Sequence, residues 1–127
     1  MKIQESAENY LETILILSKK SDPVRSIDIA AELGYTKPSV SAAMKNLREN
    51  GYIIMDSNSY ITLTDKGDKI AQTIYERHDL LSRWLIFLGI DPKIATDDAC
   101  KIEHVISKES FEVIKKHILK HMENKSR

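Results

Sequence analysis

Apolar positions recur along this chain at helical spacing, interrupted once by short runs of β character. Tyr10, Ile14 and Leu17 form a stripe that Leu11 and Leu15 widen, which predicts a first helix over residues 6–20. Ser21, Asp22 and Pro23 stop it, because proline cannot continue a helix and biases the residue before it toward extended backbone. A second, short helix is predicted after Ser26, read as its N-cap, with Ile27, Ala30 and Leu33 inward and Gly34 in the left-handed terminal position. The third helix opens around Thr36, Lys37 and Pro38, where a first-turn proline is tolerated, and ends at Gly51. Two β runs, 52–55 and 60–64, flank the turn-forming Asp56, Ser57, Asn58 and Ser59. A long helix over residues 65–88 carries Ile70, Ile74, His78, Leu81, Leu85 and Leu88 on one stripe and breaks near Gly89. Pro92 marks the entry to the next segment. Thr96 is read as the cap of a fifth helix, with Asp97 and Asp98 at its positive end. Ser107 then starts a final helix that passes Leu119.

A chain of 127 residues is one domain, or two small ones sharing a core. No apolar run approaches the roughly 20 residues a bilayer span needs, and the polar start MKIQESAEN lacks the apolar core of a signal peptide. The single cysteine, Cys100, fits a reducing compartment, so a cytoplasmic protein without membrane association is expected. The formal net charge is zero, which argues against a general basic coat for nucleic acid. It leaves room for basic residues focused on one surface.

Two short helices joined by a glycine-containing turn and followed by a hairpin are the element order of a winged helix-turn-helix. On the third helix Val40, Ala43, Met44 and Leu47 make a buried face, while Pro38, Ser41, Ala42 and Lys45 fall on the other side. Small polar side chains and one cation let a helix sit deep in the major groove and meet base edges or phosphates. Thr36, Lys37 and Ser39 add donors at the end that faces the bases. Arg25 and Ser26, just ahead of the second helix, and the wing over residues 57–60 are candidates for backbone contacts.

The second half carries a different chemistry. Cys100, Glu103 and His104 stand at i, i+3 and i+4, which puts a thiol, a carboxylate and an imidazole on one helical face. All three are transition-metal ligands. The alternative is a buried cysteine beside two exposed polar residues, and for His78 a satisfied core histidine. Asn9 and Glu12 offer oxygen ligands on the first helix, or simply a polar face. His117 and His121 read as solvated. Enzyme signatures are missing: there is no glycine-rich phosphate loop, nucleophile elbow, HExxH or CxxC.

These segments resemble the diphtheria toxin repressor/manganese transport regulator family of metal-dependent transcriptional repressors. The resemblance is carried by AENYLETI, VRSIDIAAELGYTKPSVSAAMKNLRENGYI, ITLTDKG, ERHDLL and DDACKIEHVIS. It implies a mainly α fold: a winged helix-turn-helix DNA-binding domain over residues 1–70, then a helical dimerisation and metal-binding domain over 71–127. It also implies a homodimer joined through the fourth and fifth helices, a double-stranded palindromic operator, and a primary metal site drawn from Asn9, Glu12, His78, Cys100, Glu103 and His104. The iron-responsive branch has Met at the position of Asn9 and Cys at that of Cys100; the manganese-responsive branch has Asp and Glu there, with a Glu matching Glu12. This chain is a hybrid. The iron branch's ancillary site falls on His78, Ser82 and Thr96 and looks degraded. The chain stops before the SH3-like domain of larger members, as the manganese regulators do. Fe(II) or Mn(II) is therefore expected, with Zn, Co or Ni as binders in vitro; thiolate and imidazole favour iron on softness. Rival readings are a winged-helix regulator answering to another ligand and a small metalloenzyme.

Overall fold

The computed structural model describes residues 5–20 and 23–125. Ser21 and Asp22, expected to help stop the first helix, lie outside the described residues. The elements are α1 (Glu5–Lys20), α2 (Ser26–Leu33), α3 (Lys37–Glu49), β1 (Ile53–Met55), β2 (Ile61–Leu63), α4 (Asp65–Phe87), α5 (Pro92–Val105) and α6 (Lys108–Lys125). Two compact units divide the chain, Met1–Thr73 and Ile74–Arg127.

In the first unit, α2 packs on α1 and α3, α1 on β2, and α3 on β1. The predicted stripe of α1 buries Tyr10, Leu11, Ile14 and Leu15, and that of α3 buries Val40, Met44 and Leu47. The antiparallel pair β1–β2 matches Ile53 with Leu63 and Met55 with Ile61. A single bridge from Val24 to Ile61 ties the segment before α2 to the hairpin.

The start of α2 differs from expectation. Arg25, not Ser26, is the N-cap, and Ser26 is the first helical residue. The Arg25 N–H donates to the Asp28 carboxylate at 2.9 Å, so an acid three residues on closes the first turn from inside the helix. The face that packs buries Ile29 and Ala30 and leaves Ile27 exposed. Gly34 ends the helix at φ 71°, its N–H donating to the Ala30 carbonyl at 2.9 Å, a conformation that favours a residue without Cβ.

The hairpin is locked to α4 by Thr64. Its hydroxyl donates to the Gly51 carbonyl at 2.7 Å and accepts from the Gly67 N–H at 3.2 Å, while its own N–H donates to the Tyr52 carbonyl. Gly67 passes so near Tyr52 that a β-carbon there would overlap the Tyr52 carbonyl oxygen.

The second unit is built on Leu80, Leu81, Ala99, Phe111 and Ile118, with Trp84, Ile102, Ile106, Ile114 and Met122 packed against them. Here the expected cap at Thr96 is overturned. The fifth helix begins one turn earlier: Asp91 is the N-cap, accepting from the Lys93 N–H at 3.1 Å, and Pro92 opens the helix. An aspartate followed by proline supplies both the acceptor and the pre-set φ of a helix start, so it outcompetes the later threonine. The Thr96 hydroxyl instead donates back to the Pro92 carbonyl, and Asp97 and Asp98 lie beyond the first turn. Ser107 does open the last helix, accepting from the Ser110 N–H at 3.1 Å.

Candidate metal centre and nucleic-acid interface

The i, i+3, i+4 cluster on α5 converges. Cys100, Glu103 and His104 each direct a ligand atom into one group whose members lie within 4.8 Å of one another. The burial order is the reverse of the bland alternative: Glu103 is fully buried, the His104 side chain is 2 % exposed, and Cys100 is half-buried. His78, from α4, brings Nδ1 to 2.9 Å from Glu103 Oε2 and keeps 27 % of its side chain exposed. It is neither a lone histidine nor a sealed one.

Glu103 Oε1 is the telling atom. It lies 3.4 Å from His104 Nε2 yet has no hydrogen-bond partner among the described residues, although it is buried. A buried carboxylate oxygen with a 3.4 Å imidazole contact but no hydrogen bond is incompletely compensated for its lost hydration. A divalent cation among Cys100, Glu103 and His104 removes that cost, and ligand atoms about 2.0–2.3 Å from one ion stand within the separation seen. The donor set therefore fits a transition metal.

Arg77, adjacent to His78 on α4, was not singled out by the sequence. Its Nη1 donates to the main-chain carbonyls of Glu103, at 3.0 Å, and Ile106, at 3.1 Å, and its guanidinium lies 5.3 Å from the centre of the Phe111 ring. No local signal predicts it, since its partners are backbone atoms 26 and 29 positions away. Ser82 is buried with its hydroxyl without a hydrogen bond among the described residues, and Thr96 is engaged within α5. His117 and His121 are exposed, as expected, with ring centres 4.2 Å apart.

Within the first unit Asn9 is half-buried and Glu12 buried on α1. The expected reading stripe is outward: Pro38, Ser41, Ala42 and Lys45 are exposed, as are Lys37 and Ser39, while Ser26 is half-buried. Thr36 caps α3, its hydroxyl accepting from the Ser39 N–H and donating to the Ser39 hydroxyl at 2.8 Å. Arg25 is seated on the wing, Nη2 donating to the Tyr60 hydroxyl at 3.1 Å and the guanidinium 4.7 Å from the ring centre. Arg25, Ser41, Lys45 and Ser59 border one groove between α3 and the hairpin, and Arg48 joins them. Arg48 extends the Ser41–Lys45 stripe by one further turn, a signal present in the spacing but not used.

The comparisons bear on both halves. Residues 2–59 match the model of the iron dependent repressor N-terminal DNA binding domain, and residues 64–125 that of the iron dependent repressor metal binding and dimerisation domain. A transcriptional regulator MntR of Escherichia coli O6:H1 is 35 % identical over 118 residues, covering 93 % of this chain and 76 % of that protein. The chain belongs to the diphtheria toxin repressor/manganese transport regulator family.

As a member of that family it is a metal-dependent transcriptional repressor with a DNA-binding and a metal-binding domain, not an enzyme. An HTH-type transcriptional regulator of Methanocaldococcus jannaschii is likewise 35 % identical, over 115 residues, covering 89 % of this chain and 92 % of that one. Among solved structures, a manganese-dependent transcriptional repressor in complex with manganese superposes with a TM-score of 0.78 at 28 % identity. It covers 88 % of this chain, which spans about half (52 %) of that repressor. No helix among the described residues is long and apolar enough to cross a membrane.

Proposed function

We propose that this repressor senses Fe(II) or Mn(II) through Cys100, Glu103 and His104 with His78, and on metal binding represses genes of metal homeostasis. The observation that supports the assignment is the convergence of Cys100, Glu103 and His104, with Glu103 buried and its Oε1 without a hydrogen bond among the described residues. Asn9 and Glu12 are proposed as the remaining ligands on the family resemblance alone. A metal held by both sets would make the disposition of the reading heads depend on metal supply. Thiolate and imidazole donors favour Fe(II), while the relatives named above include a manganese-dependent repressor. Anaerobic titration of metal-free protein with Mn(II) and with Fe(II), each followed by operator binding, tests the assignment and decides the metal. Retention of full operator affinity without metal would sink it in favour of a metal-independent regulator.

The DNA face is proposed to be Pro38, Ser41, Ala42 and Lys45 toward the groove, with Thr36, Lys37 and Ser39 at the helix end that faces the bases and Arg25, Ser26 and Arg48 toward phosphates. Ala substitution of Arg48 is expected to weaken binding about equally across sequences. It should also reduce the slope of log affinity against log salt by about 1, the signature of one lost phosphate contact. An unchanged slope in fluorescence-anisotropy titrations removes Arg48 from the face.

A homodimer on a palindromic operator is proposed to form through the end of α4 and the start of α5. Ile86, Phe87, Leu88 and Ile94 support this, being 41–58 % exposed in the single chain. Leu88→Asp is expected to shift the protein toward monomer in analytical ultracentrifugation; an unchanged dimer would move the interface elsewhere.

A further inference from the structure

Two consecutive residues of α4 hold one residue of α5 by different parts. His78 meets the Glu103 carboxylate at 2.9 Å, and Arg77 grips the Glu103 main-chain carbonyl at 3.0 Å. We infer that Arg77 is a positioning residue of the metal centre, setting the backbone of α5 at Glu103 so that Cys100, Glu103 and His104 present their ligand atoms together. This rests on the metal-site assignment above and adds a residue outside the ligand set.

The physical case begins at the end of α5. The helix stops at Val105, and Ile106 is extended at ψ 138°, so its last carbonyls have no helical partner. Arg77 supplies donors to two of them, at Glu103 and Ile106, from a single nitrogen. Its positive charge lies at the negative end of the helix dipole, where it is favourable. The guanidinium is itself confined by the Phe111 ring, and its Nε is buried without a partner. A side chain that leaves one of its own donors unsatisfied is held in place for the contacts it does make.

Fixing the carbonyl of Glu103 fixes more than one ligand. Cys100 lies three residues earlier and His104 one later on the same helix, so a shift of the backbone at Glu103 moves all three donors together. Groups outside the ligand set that orient ligands typically contribute about 10- to 100-fold to metal affinity. Here the orientation acts through main chain rather than through a ligand side chain.

The test uses Co(II) as the probe, added anaerobically to the full-length metal-free protein. Its thiolate charge-transfer and ligand-field bands report coordination by Cys100 directly. Arg77→Met keeps an unbranched stem beside Phe111 and removes the donors; Arg77→Lys keeps a charge and a donor. We expect about 10- to 100-fold weaker Co(II) binding with altered bands for Arg77→Met, and intermediate behaviour for Arg77→Lys. Phe111→Leu loosens the same packing without touching the donors, and should lower the melting temperature while leaving the bands unchanged. Wild-type affinity and spectrum in both Arg77 variants would overturn the inference. So would the same loss in Phe111→Leu at equal destabilisation. If the wild type itself gives no thiolate band, the ligand assignment falls and the inference with it.

Discussion

Stripping the metal is expected to weaken operator binding by about 5- to 150-fold, the range that a coupling of roughly 1–3 kcal/mol between two sites produces. Wild-type protein with a chelator, and the double variant Cys100→Ala, His104→Ala with metal present, should behave alike. The reason lies in Glu103. Its carboxylate is fully buried, with one oxygen beside His78 and the other without a hydrogen bond. The proposed cation would supply a partner to that oxygen; without it the carboxylate would remain in place at a cost or draw away from the cluster. Either way the α5 face would no longer be held by one ion, and the DNA-competent arrangement would lose its bias. Measuring affinity by anisotropy over matched salt conditions is essential, since phosphate contacts make the value salt-dependent. Equal affinity with metal, with chelator and in the double variant would refute the switch. Thermal unfolding of the double variant separates this from a simple loss of fold.

The second large effect concerns the close contact between Tyr52 and the start of α4. Gly67→Ala is expected to destabilise the protein by about 1–3 kcal/mol, as forced overpacking does. Helix propensity alone predicts the opposite, a gain of about 0.5–1 kcal/mol for alanine over glycine inside a helix. The steric term should win because the atom in the way is the Tyr52 carbonyl oxygen, which is main chain and is already held by the Thr64 N–H. It cannot swing aside as a side chain would. Relief requires the hairpin to move off α4, and that displaces the wing carrying Ser59 and Tyr60. Denaturant unfolding gives the stability change, and an operator titration reports the wing. A variant as stable as wild type, or more so, would show that the contact relaxes freely.

Much of the fold was legible because its signals are local. The stripes of α1 and α3 needed only apolar residues at helical spacing, and the hairpin announced itself by a turn cluster between two β runs. Misreadings arose where two local signals competed. Ser26 is a good cap by type, but Asp28 three residues after Arg25 closes the turn one position earlier. Thr96 with two following aspartates resembles a helix start, yet Asp91 and Pro92 had already begun it. Ile27, expected inward with Ala30 and Leu33, is exposed because the face of α2 that packs is the one carrying Ile29 and Ala30. Arg48 could have been found from the stripe it shares with Ser41 and Lys45. Arg77 could not.

What the sequence by itself determined is what recurs within a few residues: the winged helix-turn-helix order, the outward stripe at Pro38, Ser41, Ala42 and Lys45, and the thiol, carboxylate and imidazole on one face of α5. Tertiary structure alone decided that Glu103 is fully buried and the His104 side chain nearly so, that His78 reaches Glu103 across 25 positions, and that Arg77 hydrogen-bonds its backbone across 26. Burial and cross-helix hydrogen bonds depend on which faces pack, and helical spacing says only which residues share a face.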